Sequence, residues 1–210
     1  MKRIITKTSN ARHRTVLTPA DTYIEGDFDM LCCDLSYACP GFALLRYHAD
    51  IRQVELLGKS CVKKKYHSQD GNYPGEILDV ICQEMDSYLG NPNLKLVVRE
   101  SSFVSKYHAT EMVYRVVGAT ECLLWQRLKM PYHEMSPASI KKIVGGYGNA
   151  SKEEVADGLE PYIGYWTYRS NDESDAAAVG VAWLIKNLYL DMVMKGTVSN
   201  ESKVTGNYIG

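Results

Sequence analysis

Blocks of apolar residues predict a sheet in the first half of the chain. Residues 30–36 and 41–48 are two apolar runs joined by a short polar turn, a pattern typical of two antiparallel strands. Residues 53–63 predict a third strand, which ends in lysines. Residues 76–89 then carry apolar positions at helical spacing, and the Gly-Asn-Pro-Asn sequence at 90–93 ends that helix.

The second half of the chain alternates strands with helices. Residues 94–100 predict a short strand parallel to the first, because a helix precedes it in the chain. The other predicted elements are a long helix at 104–128, a brief strand at 131–135, a short helix at 136–144, a helix opened by a capping box of Ser151 and Glu154, and a last long helix from 171 to about 195. This order predicts an α/β protein whose mixed five-stranded sheet has helices on both faces.

The composition fits one folded domain. The 210 residues are 45% hydrophobic and 23% charged, which is ordinary for a globular protein and does not indicate a disordered or fibrous chain. We predict a domain at 28–195, with a basic arm at 1–27 before it and a polar tail at 196–210 after it. No apolar run approaches the roughly 20 residues that a membrane span needs, so we expect no membrane partner.

The first residues and the cysteines bear on the cellular compartment. The first residues lack the apolar core of a secretory signal, and they are basic, with no acid before Asp21. The 6 cysteines show neither a CxxC pair nor a zinc-site spacing, so we interpret most of them as reduced core residues. We therefore expect a cytoplasmic protein, with a mitochondrial transit peptide as the alternative interpretation of the basic arm.

Four acidic residues lie at positions that suggest a functional site. Asp34 interrupts the first apolar strand, and Glu100 ends the strand predicted beside it, where ligands of open α/β sheets gather. Asp172 and Asp175 lie three residues apart in the first turn of the last helix, so both point the same way. The alternatives are solvated strand ends for the first two acids and helix capping for the second two.

Convergence of these four acids would create a metal site. We see no matching cluster of Lys or Arg, so the carboxylates would repel one another, and hard divalent cations resolve such repulsion. Oxygen ligands suit Mg²⁺, with Mn²⁺ as a substitute, rather than zinc. Two such ions about 4 Å apart can activate water and stabilise the leaving oxygen in phosphodiester hydrolysis.

Four segments carry a family resemblance. In chain order they are DLSYACPGFALL, VVRESSFVSK, SPASIKKIVGGYGNASKEEV and NDESDAAAVGVA. Together they resemble the RuvC-type Holliday junction resolvases of the RNase H-like superfamily, in a phage-encoded version, and the third segment, a Gly-rich turn between lysines, is the most distinctive. One departure is Leu35-Ser36, where the family has Pro-Gly, so the family's cognate-sequence preference is not carried over.

The resemblance implies an RNase H-like fold, a homodimer, and metal-dependent cleavage of two strands across a four-way DNA junction. The helix predicted at 104–128 has apolar residues on two faces, which suits packing on the sheet and against a second copy, although a fully buried helix would also fit. Carried over by position, the resemblance implies that the metal-binding acids are Asp34, Glu100, Asp172 and Asp175. Asp34 would bridge two Mg²⁺ ions.

The resemblance also implies DNA contacts. Lys141 and Lys152 match the family's lysines near the scissile phosphate, and Phe103 matches an aromatic that stacks on bases at the junction centre. The formal net charge of −1 means that further DNA affinity has to come from local clusters of charge. The clusters that we expect to contribute are the basic arm, Lys142 beside Lys141, and the run Lys63, Lys64 and Lys65.

The same residues leave alternatives open. The lysines are equally consistent with a solvated surface, and Phe103 with a core position. The sequence GGYGNASK at 145–152 suggests a phosphate loop, but it lacks Gly-Lys-Ser/Thr and the third glycine of the dinucleotide fingerprint. The rival functions are a branched-DNA binding module with little or no cleavage, and an RNase H-type nuclease acting on RNA–DNA hybrids.

Overall fold

The computed structural model describes residues 23–63, 74–101, 108–168 and 170–193. The strands are β1 (Phe28–Asp34), β2 (Gly41–His48), β3 (Gln53–Cys61), β4 (Leu94–Glu100) and β5 (Tyr132–Met135). The helices are α1 (Pro74–Leu89), α2 (His108–Leu128), α3 (Pro137–Val144), α4 (Lys152–Asp157), α5 (Glu160–Ile163) and α6 (Asn171–Lys186). Of the predicted arm only 23–27 lies within the described residues, and the predicted tail lies outside them.

The described strands form one mixed sheet in the order β3-β2-β1-β4-β5. As predicted, β1 pairs antiparallel with β2, β2 pairs antiparallel with β3, and β1 pairs parallel with β4. β4 also pairs parallel with β5. Cys33 of β1 stands opposite Arg99 of β4, so the next residues, Asp34 and Glu100, end neighbouring strands at the same edge. The sheet therefore brings two of the predicted acids to one edge.

Helices cover both faces of this sheet, as predicted. Side chains of β1 alternate between the two cores, because successive residues of a strand face opposite sides. Met30 and Cys32 enter the core beneath α3 to α6, whereas Leu31 and Cys33 enter the core beneath α1 and α2. Both faces of β1 are thus buried, and among the residues of β1 only Asp34 is partly accessible.

Helix α6 is the central helix of the core that lies beneath α3 to α6. Gly180 permits its close approach to the sheet, since a Cβ there would lie 2.3 Å from Cys32 Sγ and 2.5 Å from Leu45 Cδ1. The prediction that this helix continues to about 195 is wrong, because it ends at Lys186 and Leu188 has a φ of 65°. The apolar pattern beyond that point belongs to Tyr189 and Leu190, which turn back onto the core.

Two other details differ from the predictions. β1 begins and ends two residues earlier than 30–36, because Phe28 is already a core side chain. The cysteines are free, and Cys32 and Cys33 are buried as predicted. The prediction that most of the cysteines are core residues is wrong, because Cys39, Cys61 and Cys82 are only partly buried and Cys122 is exposed on α2. None of the described helices is both long enough and apolar enough to cross a lipid bilayer.

A buried ion pair fixes the start of β1, at the end of the strand remote from Asp34. Asp29 is fully buried and accepts two hydrogen bonds from Arg46, at 2.7 and 2.8 Å, and one from Asn91 at 2.7 Å. Burial pushes the Asp29 pKa upward, but these hydrogen bonds and the Arg46 charge outweigh it, so the pKa is lowered. The ionised carboxylate is therefore the form that ties β1 to β2 and to the turn before β4.

Replacing Arg46 with methionine is expected to destabilise the fold without touching the acidic edge. The substitution leaves the buried Asp29 carboxylate without its cation, which costs about 3 kcal/mol and lowers Tm by roughly 6–12 °C in a chain of this size. Thermal unfolding followed by circular dichroism measures the change. A Tm within about 2 °C of the unaltered chain would show that the pair contributes little.

Candidate active site

The predicted acids converge where three elements meet. Asp34 and Glu100 end β1 and β4, and Asp172 and Asp175 lie in the first two turns of α6, which follows Ser170. Carboxylate oxygens of Asp34, Asp172 and Asp175 all lie within 4.8 Å of one another. Glu100 is outside that triad but lines the same cavity as Asp34 and Asp175.

Gly41 allows α6 to reach the strand ends. It is the first residue of β2 and stands opposite Asp34 in the sheet. A Cβ on Gly41 would lie 1.9 Å from the backbone oxygen of Asp172, so no larger residue fits there while α6 keeps its place. The buried Ala176 and Ala177 continue this close contact with the sheet. Small residues on both elements therefore set the distance between the helix acids and the strand acids.

The carboxylates raise one another's pKa. Burial, followed by the charges of Glu100, Asp175 and Asp172, raises the pKa of Asp34 to about 7. Burial and the Asp175 charge raise the pKa of Glu100 to about 7 as well. The pKa of Asp175 is also raised by burial, although a hydrogen bond from Lys152 opposes the shift. Asp34 and Glu100 would therefore be fully ionised at neutral pH only with an additional cation close to them.

Two lysines enter this acidic cavity. Lys152, the first residue of α4, donates from Nζ to Asp175 Oδ2 at 2.5 Å, and Lys141 of α3 lines the cavity. The expectation that the acids have no matching cluster of basic residues is therefore wrong. The lysines reach the site because α3 and α4 pack on α6 from either side of the Gly-rich turn. Among the residues that the structure describes, these two ammonium groups do not balance the four carboxylates of Asp34, Glu100, Asp172 and Asp175.

The cavity has the donors and the space for hard cations. Its volume is about 280 Å³, and its lining combines Asp34, Glu100, Asp175, Lys141 and Lys152 with the apolar side chains of Pro137, Ile140 and Val155. Its metal-ligating atoms are carboxylate oxygens, which suit Mg²⁺ or Mn²⁺. The residues present therefore fit the divalent ions that the sequence suggested.

The other residues predicted to contact DNA either do not line the acidic cavity or lie outside the described residues. Lys142 is exposed on α3, and Lys63 is exposed just beyond the end of β3. Lys64, Lys65 and Phe103 lie outside the described residues, as do residues 1–22 of the basic arm.

Sequence reasoning missed several residues next to the acids. Burial, and to a smaller extent hydrogen bonds with Asp172 and Cys61, raise the pKa of the Cys39 thiol to about 12. Lys59 of β3 forms an ion pair with Glu173, the residue after Asp172. Lys59 is the residue that could have signalled this pair. It stands opposite the core residue Ala43, and a buried ammonium needs an anion as its partner.

The raised pKa values predict that divalent metal and pH act together on stability. Without metal, the folded protein binds more protons than the unfolded chain between the ordinary carboxyl pKa values of 3.8 and 4.5 and the folded values of about 7. Stability therefore falls as the pH rises through this window. Mg²⁺ binds the ionised carboxylates, so it should raise Tm more at about pH 8 than at about pH 5.5.

Thermal melts with Mg²⁺ or with a chelator at the two pH values measure this effect. A difference of 1 kcal/mol corresponds to about 2–4 °C in Tm. Asp34→Asn should reduce the difference, since it removes the carboxylate with the largest number of acidic neighbours. Equal Mg²⁺ shifts at both pH values would contradict a metal site built from these acids.

Comparisons with known proteins agree with the architecture. No family model matches the chain. It is 29% identical over 110 residues to a crossover junction endodeoxyribonuclease RuvC from Carboxydothermus hydrogenoformans, an alignment that covers 52% of this chain and 70% of the relative. It is 27% identical over 158 residues to the RuvC protein of Prochlorococcus marinus, covering 75% of this chain and 98% of the relative.

A solved structure shows the same fold. The structure of Thermus thermophilus RuvC in complex with Holliday junction substrate aligns with a TM-score of 0.64 and 20% identity, over 74% of this chain and 92% of that one. The RNase H-like fold predicted from the sequence is confirmed by this likeness.

Proposed function

We propose that this chain, which is 29% and 27% identical to two RuvC crossover junction endodeoxyribonucleases, resolves Holliday junctions by metal-dependent phosphodiester hydrolysis. The observation that carries the proposal is the meeting of Asp34, Asp172 and Asp175, from both ends of the chain, within 4.8 Å of one another, with Glu100 in the same cavity. Carboxylate oxygens gathered in this way are the ligands that hard divalent cations take, which supports metal-dependent hydrolysis at this site.

The acids and the lysines of the site would have different roles. Asp34, Glu100, Asp172 and Asp175 would hold two Mg²⁺ ions, with Mn²⁺ as a substitute. When bound, such ions supply Lewis acidity at the scissile phosphate and a nucleophile from water. Asp34 stands centrally, since all three other acids raise its pKa. Lys141 and Lys152 would neutralise and orient the phosphate, and Lys152 would exchange Asp175 for that anion.

The substrate class follows from the relatives. The Thermus thermophilus protein was solved with a Holliday junction, and the resemblance of this chain extends over most of that fold. We propose that this chain binds four-way DNA junctions, and forks or flaps in addition. Phe103, Lys142, Lys63, Lys64, Lys65 and the basic arm are the residues proposed to contact that DNA, through stacking and through salt-sensitive phosphate contacts.

A homodimer suits such a substrate, because two equivalent sites can meet two equivalent strands. Helix α2 offers a face for it. Tyr114 and Trp125 are 50% and 56% exposed, and Gly118 and Cys122 lie exposed between them on the same side of the helix. We propose that a second copy covers this face, which places the two acidic edges on one assembly.

Replacing Trp125 with glutamate is expected to shift the chain from dimer to monomer. A charge buried in a contact between two copies is strongly unfavourable unless it is paired. Sedimentation velocity or light scattering during size-exclusion chromatography measures the mass. Leu188→Glu, which places the same charge at a residue 79% exposed beyond α6, is the matched control and should stay dimeric. Equal masses for both variants and the unaltered chain would contradict this interface.

Cleavage assays on a panel of substrates test the proposed function. A four-way junction, a flap, a fork, an RNA–DNA hybrid and a linear duplex would be compared side by side with Mg²⁺. The proposal expects paired nicks in the junction and little cleavage of the linear duplex. Preference for the hybrid would favour an RNase H-type nuclease, and tight junction binding without cleavage would favour a binding module.

A further inference from the structure

A buried ion pair joins β3 to the first turn of α6. Lys59 Nζ donates to Glu173 Oε2 at 2.5 Å, and the two side chains are only 12% and 3% exposed. The Lys59 ammonium also lies 5.1 Å from the centre of the Tyr168 ring. Burial and the Glu173 charge raise the pKa of Tyr168 to about 12, which places that charge close to the ring. Glu173 is therefore held by Lys59, whose ammonium in turn packs against the Tyr168 ring.

Helical geometry relates Glu173 to the metal acids. Successive residues of an α-helix are rotated by about 100°, so Asp172 and Asp175 lie about 60° apart, and Glu173 lies roughly 100° from one and 160° from the other. Glu173 thus faces β3, whereas the carboxylates of Asp172 and Asp175 lie close to that of Asp34. Anchoring Glu173 fixes the rotation of this turn, and with it the direction of both metal acids.

The charged pair does something that an apolar pair would not. Apolar side chains would hold the helix on the sheet equally well, but they would not select one rotation of the turn. A buried ion pair has to keep its two charges in contact, because separating them leaves each charge buried and uncompensated, so rotations of the turn that move Glu173 away from Lys59 are strongly disfavoured. It also adds no net charge beside the acids, whereas Glu173 without Lys59 would place a fifth carboxylate next to a cluster that is already self-repelling.

We propose that Lys59 and Glu173 are positioning residues that orient Asp172 and Asp175 for divalent-metal binding. The inference rests on the proposed function in that it requires a metal site at these acids. Neither residue lines the acidic cavity, so their effect on the metal passes through the backbone of α6. Residues that support metal ligands in this way typically change metal affinity by about 10–100-fold.

Titration of the full-length chain with Mn²⁺ alone, followed by calorimetry or by the spin resonance of free Mn²⁺, tests the proposal without any cleavage step. Lys59→Met is expected to weaken Mn²⁺ binding at least about tenfold. Lys59→Arg keeps a charge and a donor, and should bind Mn²⁺ more tightly than Lys59→Met. Arg46→Met is the matched control, because it breaks a buried ion pair about 16 Å away along β1, and it should keep the affinity of the unaltered chain.

The outcomes separate the two proposals. If the unaltered chain binds no Mn²⁺, the metal-dependent function fails. A second outcome is that the unaltered chain binds Mn²⁺ while Lys59→Met binds it equally well and has its Tm lowered as much as that of Arg46→Met. In that case the pair is only structural and this inference is overturned. If Lys59→Met does not fold, Glu173→Gln, which keeps the size of the side chain but not its charge, carries the same expectation of weakened binding.

Discussion

Replacing Asp34 with asparagine is expected to reduce junction cleavage by about a thousandfold while the protein still folds and binds the junction. Asparagine has the same shape as aspartate but no charge, so the end of β1 keeps its packing. The loss follows from the position of Asp34, which is the acid whose pKa responds to all three of the others. A metal contributes several kcal/mol of transition-state stabilisation, and about 4 kcal/mol corresponds to the expected factor.

Cleavage and binding have to be measured separately for this variant. Single-turnover cleavage in Mg²⁺ gives the rate, and a mobility shift in a chelating buffer gives the junction affinity. Asp157→Asn makes the same chemical change on the exposed end of α4 and serves as the matched control. Cleavage by Asp34→Asn at a rate near that of the control would remove Asp34 from the mechanism, and the proposed metal site would lose its central ligand.

The strand acids were predictable because the relevant signals are local. Asp34 and Glu100 each end an apolar run, and the intervening α1 implied that β1 and β4 are parallel, so both side chains had to reach one edge. The helix acids followed from the spacing of Asp172 and Asp175. The order of the elements was enough to predict the mixed sheet and its two helical layers.

Ion pairs between distant residues were not predictable in the same way. Lys59 and Glu173 are separated by 114 positions, and Asp29 and Arg46 by 17. The position of Lys59 within a strand can suggest that it needs an anion, but only the assembled sheet reveals which residue is its partner. The end of α6 was missed for a related reason, since Tyr189 and Leu190 are apolar because they fold back onto the core.

The second large effect is expected from Gly41→Ala. The added Cβ would lie 1.9 Å from the backbone oxygen of Asp172 and 2.5 Å from its carbonyl carbon. Backbone atoms cannot rotate away as a side chain can, so the first turn of α6 has to move by more than an ångström. A misplacement of about 1 Å can cost a hundredfold in rate, and we expect a loss of that order in junction cleavage together with weaker Mn²⁺ binding.

Gly58→Ala is the matched control for this substitution. Gly58 is also a strand glycine, in β3, and a Cβ there has no atom within 4 Å. The control should therefore cleave junctions at the rate of the unaltered chain. Thermal melts on both variants show whether Gly41→Ala remains folded at the assay temperature. If folded Gly41→Ala cleaved as fast as Gly58→Ala, the acids would tolerate a displaced helix, and close approach of α6 to β2 would not be what assembles the site.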